Sequence, residues 1–259
     1  MRLDQASWME VRDKLKNPQG IIMATGSTEQ HGPIGLIGTD TICSETIALS
    51  VAKKSNMYLA PSIGFTPAEF NMKFPGTISI SAQTFKSLLR EVTSSLLKHG
   101  FKYVLIVNGH GANIDPIKEV MIDFKNKLFF KSWWDFPKVN DIRNKEFGDW
   151  EGMHATPSEI SITQINHRVI ENTEFKKIAQ NPPKKLTRDF IIAHSGDKHG
   201  TAEEHYKAFP DGRVGSHSAM ANREIGKKIV NASVEGFLEE VERLNSCLLY
   251  TSPSPRDNR

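Results

Sequence analysis

The stretch from Ile21 to Asp40, IIMATGSTEQHGPIGLIGTD, constrains the fold more than any other. Its apolar opening, Ile21-Ile22-Met23-Ala24, reads as a buried strand that stops at Gly26. The residues that follow are too rich in Gly and Pro for a helix, and they bring Glu29, His31 and Asp40 within twelve positions. Glu29 and His31 are two apart, so in an extended segment their side chains leave on the same side. A carboxylate and an imidazole on one side, with a second carboxylate returned by a Gly-punctuated loop, can gather a divalent metal. A polar surface loop after a strand is the other reading of the same residues.

A second unit has the same form. Lys102 to Val107, KYVLIV, is a continuous apolar run that runs into NGHGAN and then a helix over 114–127. Such a run favours a strand buried on both faces, and Gly109 and Gly111 allow a sharp turn that exposes His110. A phosphate loop is excluded: no Lys-Ser/Thr follows, and Ile114 stands where a dinucleotide fingerprint needs a small residue. Further strands are expected over 57–61 and 129–134, and helices over 6–16, 40–54, 81–99 and 216–244. Residues 139–150 and 171–200 read as polar loops. Alternating strands and helices argue for an α/β fold, a three-layer α/β/α sandwich around a largely parallel sheet. Both suspicious turns then leave the carboxyl ends of strands, where such folds place their sites. A third segment, WEGMHATPSEIS, sets His154 just before a helix with Thr156 as N-cap, Pro157 at its first position and Glu159 at its third. Glu159 is either a capping carboxylate or a site residue, and His154 either a loop imidazole or its neighbour.

Composition removes several classes of function. The 259 residues, 38% hydrophobic and 24% charged, suit one domain, expected over residues 1–245. No run approaches the roughly 18 apolar residues of a membrane span, and the N-terminus lacks the apolar core of a signal peptide. Two cysteines, Cys43 and Cys247, are too few for a disulfide framework or a thiolate zinc site, and a cytoplasmic setting is expected. The net charge of +3 is spread along the chain without a nucleic-acid motif, so no nucleic-acid partner is expected.

Four ordered motifs, GSTEQHGP-x4-GTD, FPGT at Phe74–Thr77, NGHG-x-N and HA-x3-E at His154–Glu159, resemble the creatininase (creatinine amidohydrolase) family over roughly residues 5–243. The resemblance implies a binuclear centre of divalent metal (zinc, manganese or iron), a small-molecule amide substrate and a homo-oligomer, commonly a hexamer. By position Glu29 and His110 would hold one metal and His31 the other, with Asp40 bridging. Creatininase completes the second site with a Glu where this chain has Ala112, and Glu159 is the candidate to replace it. Trp150 and His154 match a tryptophan and a histidine lining the creatininase site, the histidine as proton shuttle. Hydrolysis of a C–N bond by a metal-bound hydroxide is the implied reaction, with Glu159 or Asp40 orienting it. Ile34 and Asn71 replace histidines common in relatives, which speaks against creatinine itself. Peptide processing and a non-catalytic metal-binding oligomer are the alternatives. Residues 246–259, containing CLLYTSPSPRD, resemble a translated sequencing adaptor and are expected to be non-native.

Overall fold

Four parallel strands run through the centre of the molecule: β1 (Ile21–Thr25), β2 (Tyr58–Ile63), β3 (Val104–Asn108) and β4 (Leu128–Ser132). They lie in the order β2-β1-β3-β4, in a computed structural model that describes residues 1–250. All four are strands expected from the sequence. β1 and β3 pair in step, from Ile21 opposite Val104 to Thr25 opposite Asn108. Their carboxyl ends are therefore level, and the loops after them leave the sheet side by side.

Alternate residues of each strand feed two cores. On one face Ile22, Ala24, Leu105 and Val107 pack with Cys43, Ile47 and Val51 of α2 (Thr39–Lys54, after the short α1, Trp8–Lys14) and with Phe237 and Val241 of the closing helix (Arg223–Tyr250). On the other, Ile21, Met23, Val104 and Ile106 meet Phe85 and Leu89 of α3 (Ala82–Lys98) and Ile117 and Val120 of α4 (Ile114–Asp123). Burial on both faces explains why these strands read as unbroken apolar runs. The result is the expected α/β/α arrangement.

The sequence misleads in four places. Residues 139–150, expected as loop, contain α5 (Pro137–Glu146) followed by a 3-10 turn at Gly148–Trp150. Proline opens α5, Val139 is fully buried, and Ile142 packs against the first core; two apolar residues three apart anchor an otherwise polar helix. After α6 (Pro157–Thr163), the expected surface excursion holds α7 (Thr173–Gln180) and α8 (Arg188–Ala193), with α9 (Ala202–Ala208) just beyond it. Asn172, Thr187 and Thr201 cap these three helices through their side chains. The closing helix α10 (Arg223–Tyr250) starts later than Ser216 because Asn222 Oδ1 accepts from the N–H groups of Glu224 and Ile225. Trp8, whose helical spacing with Val11 and Leu15 predicts an amphipathic helix over 6–16, is 71% exposed, with the Arg12 guanidinium 5.2 Å above its ring. Of the tail expected to be non-native, residues 251–259 lie outside the described residues. Among the described residues no helix is long and apolar enough to cross a membrane.

Candidate metal centre

After β1 the chain passes to α2 on one face, and after β3 to α4 on the other, so a crevice opens between the two strand ends. Two glycines let α2 close on it. A Cβ on Gly26 would lie 2.3 Å from the Thr41 nitrogen, and one on Gly109 would lie 2.3 Å from the Asp40 carbonyl oxygen. Asp40 is thereby fixed in the first turn of α2, where the helix dipole favours a carboxylate. From a third direction comes His154, bridged to Val214 and Gly215. Its neighbour Ala155 holds φ at +56°, a left-handed conformation costly to a non-glycine residue.

These elements bring Glu29, His31, Asp40, His110, His154 and Glu159 together, all buried. Asp40 lies at the centre. Its Oδ1 is 2.9 Å from His31 Nε2, its Oδ2 is 2.9 Å from His110 Nδ1, and Oδ2 also accepts from Ser27 Oγ at 2.8 Å. Glu29 Oε2 accepts from Asn71 Nδ2 at 2.9 Å, while Oε1 stands 3.2 Å from His110 Nδ1 and 3.7 Å from His154 Nδ1. Glu29 Oε1 makes no hydrogen bond of acceptable geometry, although Glu29 is wholly buried. Glu159 completes a capping box with Thr156, its Oε1 accepting from Thr156 N at 2.5 Å, and the same oxygen is 3.7 Å from His31 Nε2.

Each imidazole has a backbone carbonyl at one nitrogen: Glu29 O at 3.0 Å from His31 Nδ1, Pro67 O at 2.8 Å from His110 Nε2, and Gln30 O at 2.7 Å from His154 Nε2. A carbonyl only accepts, so these nitrogens carry the proton, and in the neutral rings the other nitrogen points a lone pair at carboxylates. Lone pairs facing carboxylates are unfavourable unless a cation lies between them, and a second-sphere carbonyl of this kind is how metal-ligating histidines are oriented. Three sets have donor atoms close enough to share one ion: Glu29, Asp40 and His110; His31, Asp40 and Glu159; and Glu29, His31 and His154. The donor set suits divalent metal.

Electrostatics follow from the same crowding. Burial pulls His31 down, yet Asp40, Glu159 and Glu29 hold its pKa up at about 10. Asp40 is driven well below the usual carboxylate range by His31 and His110, against burial. Burial raises Glu159 to about 8 and lowers His154 to about 4. His154 is thus a neutral imidazole at pH 7.

Beside the cluster lies a cavity of about 280 Å³, lined by Asp40, His110, His154 and Glu159 together with Trp133, Trp134 and Asp197. Trp150, expected at the substrate, does not line it; that ring lies against Lys185 and His217. Asp197, in the polar excursion and part of no motif, has its Oδ2 3.7 Å from His110 Nδ1. Outside the four motifs, His199 and His205 pack on Phe70, with ring centroids 4.7 and 5.1 Å away.

Fold and cluster together define an α/β protein with a buried carboxylate–imidazole centre at the ends of two central strands. The chain belongs to the creatininase (creatinine amidohydrolase) family, whose model matches residues 4–241. It is 34% identical over 104 residues to the 3-dehydro-scyllo-inosose hydrolase of Thermotoga maritima, covering 39% of this chain and 33% of that protein. It is also 34% identical over 107 residues to the mycofactocin precursor peptide peptidase of Mycobacterium ulcerans, covering 38% and 42%. The matched stretch thus spans only a third to two fifths of these relatives. The crystal structure of creatinine amidohydrolase superposes with a TM-score of 0.74 at 18% identity, covering 93% of this chain and 96% of that one. Other creatininase structures of like fold include a manganese form and a zinc–zinc form, with TM-scores of 0.69 and 0.68 and 18% identity, covering 93% of this chain and 97% of each.

Proposed function

We propose that this protein is an amidohydrolase that uses two divalent cations to cleave a C–N bond of a small cyclic amide, formamide or related substrate. The observation that carries the proposal is Asp40, whose two oxygens each stand 2.9 Å from a different imidazole nitrogen. Glu29, Asp40 and His110 would hold one cation, and His31, Asp40 and Glu159 the other. Cations bound there would supply Lewis-acid polarisation of the scissile carbonyl and a water of lowered pKa. His154, tied at Nε2 to the Gln30 carbonyl, has Nδ1 left to take a proton and return it to the departing nitrogen. Asn71 holds Glu29 in place. Trp133 and Trp134, rather than Trp150, wall the substrate.

A cavity of about 280 Å³ has room for a small molecule. Assembly as a homo-oligomer belongs to the same proposal and is measured by light scattering.

Metal analysis of the purified protein beside a screen of amide and formamide substrates tests the reading. The expected result is two equivalents of metal per chain, lost in His31→Ala and Asp40→Ala together with hydrolysis. A metal-free protein that stays inactive after reconstitution overturns it.

A further inference from the structure

The cavity beside the cluster meets more than groups that could hold metal. Besides Asp40, His110, His154 and Glu159, it is lined by Trp133 and Arg143, neither of which belongs to the four motifs. Arg143 lies in the last turn of α5, with its side chain 19% exposed. Its Nε donates to Glu151 Oε1 at 2.9 Å, and Nη1 donates to Asn140 Oδ1 at 2.9 Å. Nη2 meets no acceptor among the described residues, and Nη1 keeps a second hydrogen. The ion pair therefore engages the Nε edge alone. Glu151 Oε1 also accepts from Ser158 Oγ, which fixes the carboxylate on that side and steadies the guanidinium without covering its fork.

A second donor stands beside it. The guanidinium carbon is 5.6 Å from the centre of the Trp133 ring, and Trp133 Nε1 is buried with no acceptor. Trp133 as a whole is 2% exposed, so bulk water does not satisfy that N–H. Buried donors left without an acceptor are few in folded proteins, and each carries the cost of its lost hydration. Two neighbouring donors on the lining of one cavity call for an acceptor that enters it. The planar Nη fork and an indole N–H match the oxygens of a carboxylate.

We propose that the substrate is a small amide carrying a carboxylate distinct from its scissile amide, and that Arg143 and Trp133 bind this carboxylate while the scissile carbonyl faces the metal centre. The inference rests on the amidohydrolase reading above. It makes Arg143 and Trp133 the residues that select the substrate, and Glu151 the positioning residue that holds the fork in place.

Matched pairs of amides provide the test: N-formylglycine beside N-formylglycinamide, read by formate release, and dihydroorotate beside dihydrouracil, read by ring opening. Metal-loaded wild type is expected to favour the anionic member of at least one pair by about a hundredfold or more in kcat/KM. Arg143→Lys leaves Glu151 a cationic partner but removes the fork. It should cut that preference at least about tenfold, through KM rather than kcat, with metal content unchanged. Trp133→Phe leaves the ion pair untouched and should narrow the preference too, which keeps the test open should Arg143→Lys fail to fold. Equal turnover of both members of a pair by wild type, or folded variants that keep the wild-type preference, overturn the carboxylate site and leave the amidohydrolase reading standing. A metal-loaded wild type that hydrolyses none of these compounds overturns that reading as well.

Discussion

Glu159 shows how one residue can serve two readings that the sequence sets against each other. Its carboxylate closes the capping box of α6 and also faces His31 from 3.7 Å, so cap and site share one oxygen. Glu159→Gln keeps an acceptor for the Thr156 N–H but removes the charge. Stability should change by less than about 1 kcal/mol, while hydrolysis and one metal equivalent are lost; a variant retaining both metals and full turnover would reduce Glu159 to a cap. A second residue reports through pH. Burial among Phe70, His199 and Phe209 lowers His205 to about 4, against about 6.5 in the unfolded chain. Between those values the unfolded state binds more protons, so the contribution of His205 is complete above about pH 6.5 and is lost as the pH drops toward 4. The melting temperature of His205→Phe should therefore fall less between pH 7.5 and 5 than that of wild type, and parallel curves would refute the assignment. Glu29, His31, Asp40 and His110 were legible because each sits within a short motif at a strand end. Asp197 was not: its contact with His110 spans a separation in sequence that no local pattern records, and Gly196-Asp197 announces a turn without naming its partner.

At the scale of elements, β1 and β3 were readable as unbroken apolar runs because both their faces are buried, and α3 because burial of one stripe leaves a strong helical period. α5 was hidden because its core contacts rest on Val139 and Ile142 alone. The geometry that makes the site is tighter than any period reveals, since α2 meets the strand ends across Gly26 and Gly109. Gly109→Ala places a methyl group 2.3 Å from the Asp40 carbonyl and must push the first turn of α2 away. The expected cost is about 2–4 kcal/mol in denaturant unfolding, with hydrolysis reduced at least tenfold because Asp40 moves with its helix. Gly100→Ala is the comparison: a Cβ there meets nothing within 4 Å. Its strain comes only from φ of +103°, so it should cost stability while leaving the active fraction unchanged. Equal activity per folded molecule in both variants would detach α2 from the site.

Across the whole molecule, the sheet with its two cores is a rigid frame around a polar interior that hydrophobic burial cannot stabilise. Glu29, Asp40, His31 and His110 are all buried there, and their charges must be met by cations or by protons. This makes metal removal a pH-dependent event. Without metal, His31 holds its proton up to about 10 in the folded state, while the unfolded chain releases it near 6.5. The folded state then binds more protons between these values, so the contribution of His31 to the stripped protein is complete below about pH 6.5 and is lost as the pH rises toward 10. Bound cations compete with those protons and take over the compensation as the pH rises. Zinc at about a hundred times its dissociation constant contributes on the order of 2.7 kcal/mol to folding. The melting temperature difference between metal-loaded and stripped protein should therefore widen from pH 6 to pH 9. His31→Gln should flatten the curve of the stripped form. A difference that stays constant or narrows over that range would mean that the carboxylates and imidazoles of this centre are satisfied by each other, without a cation.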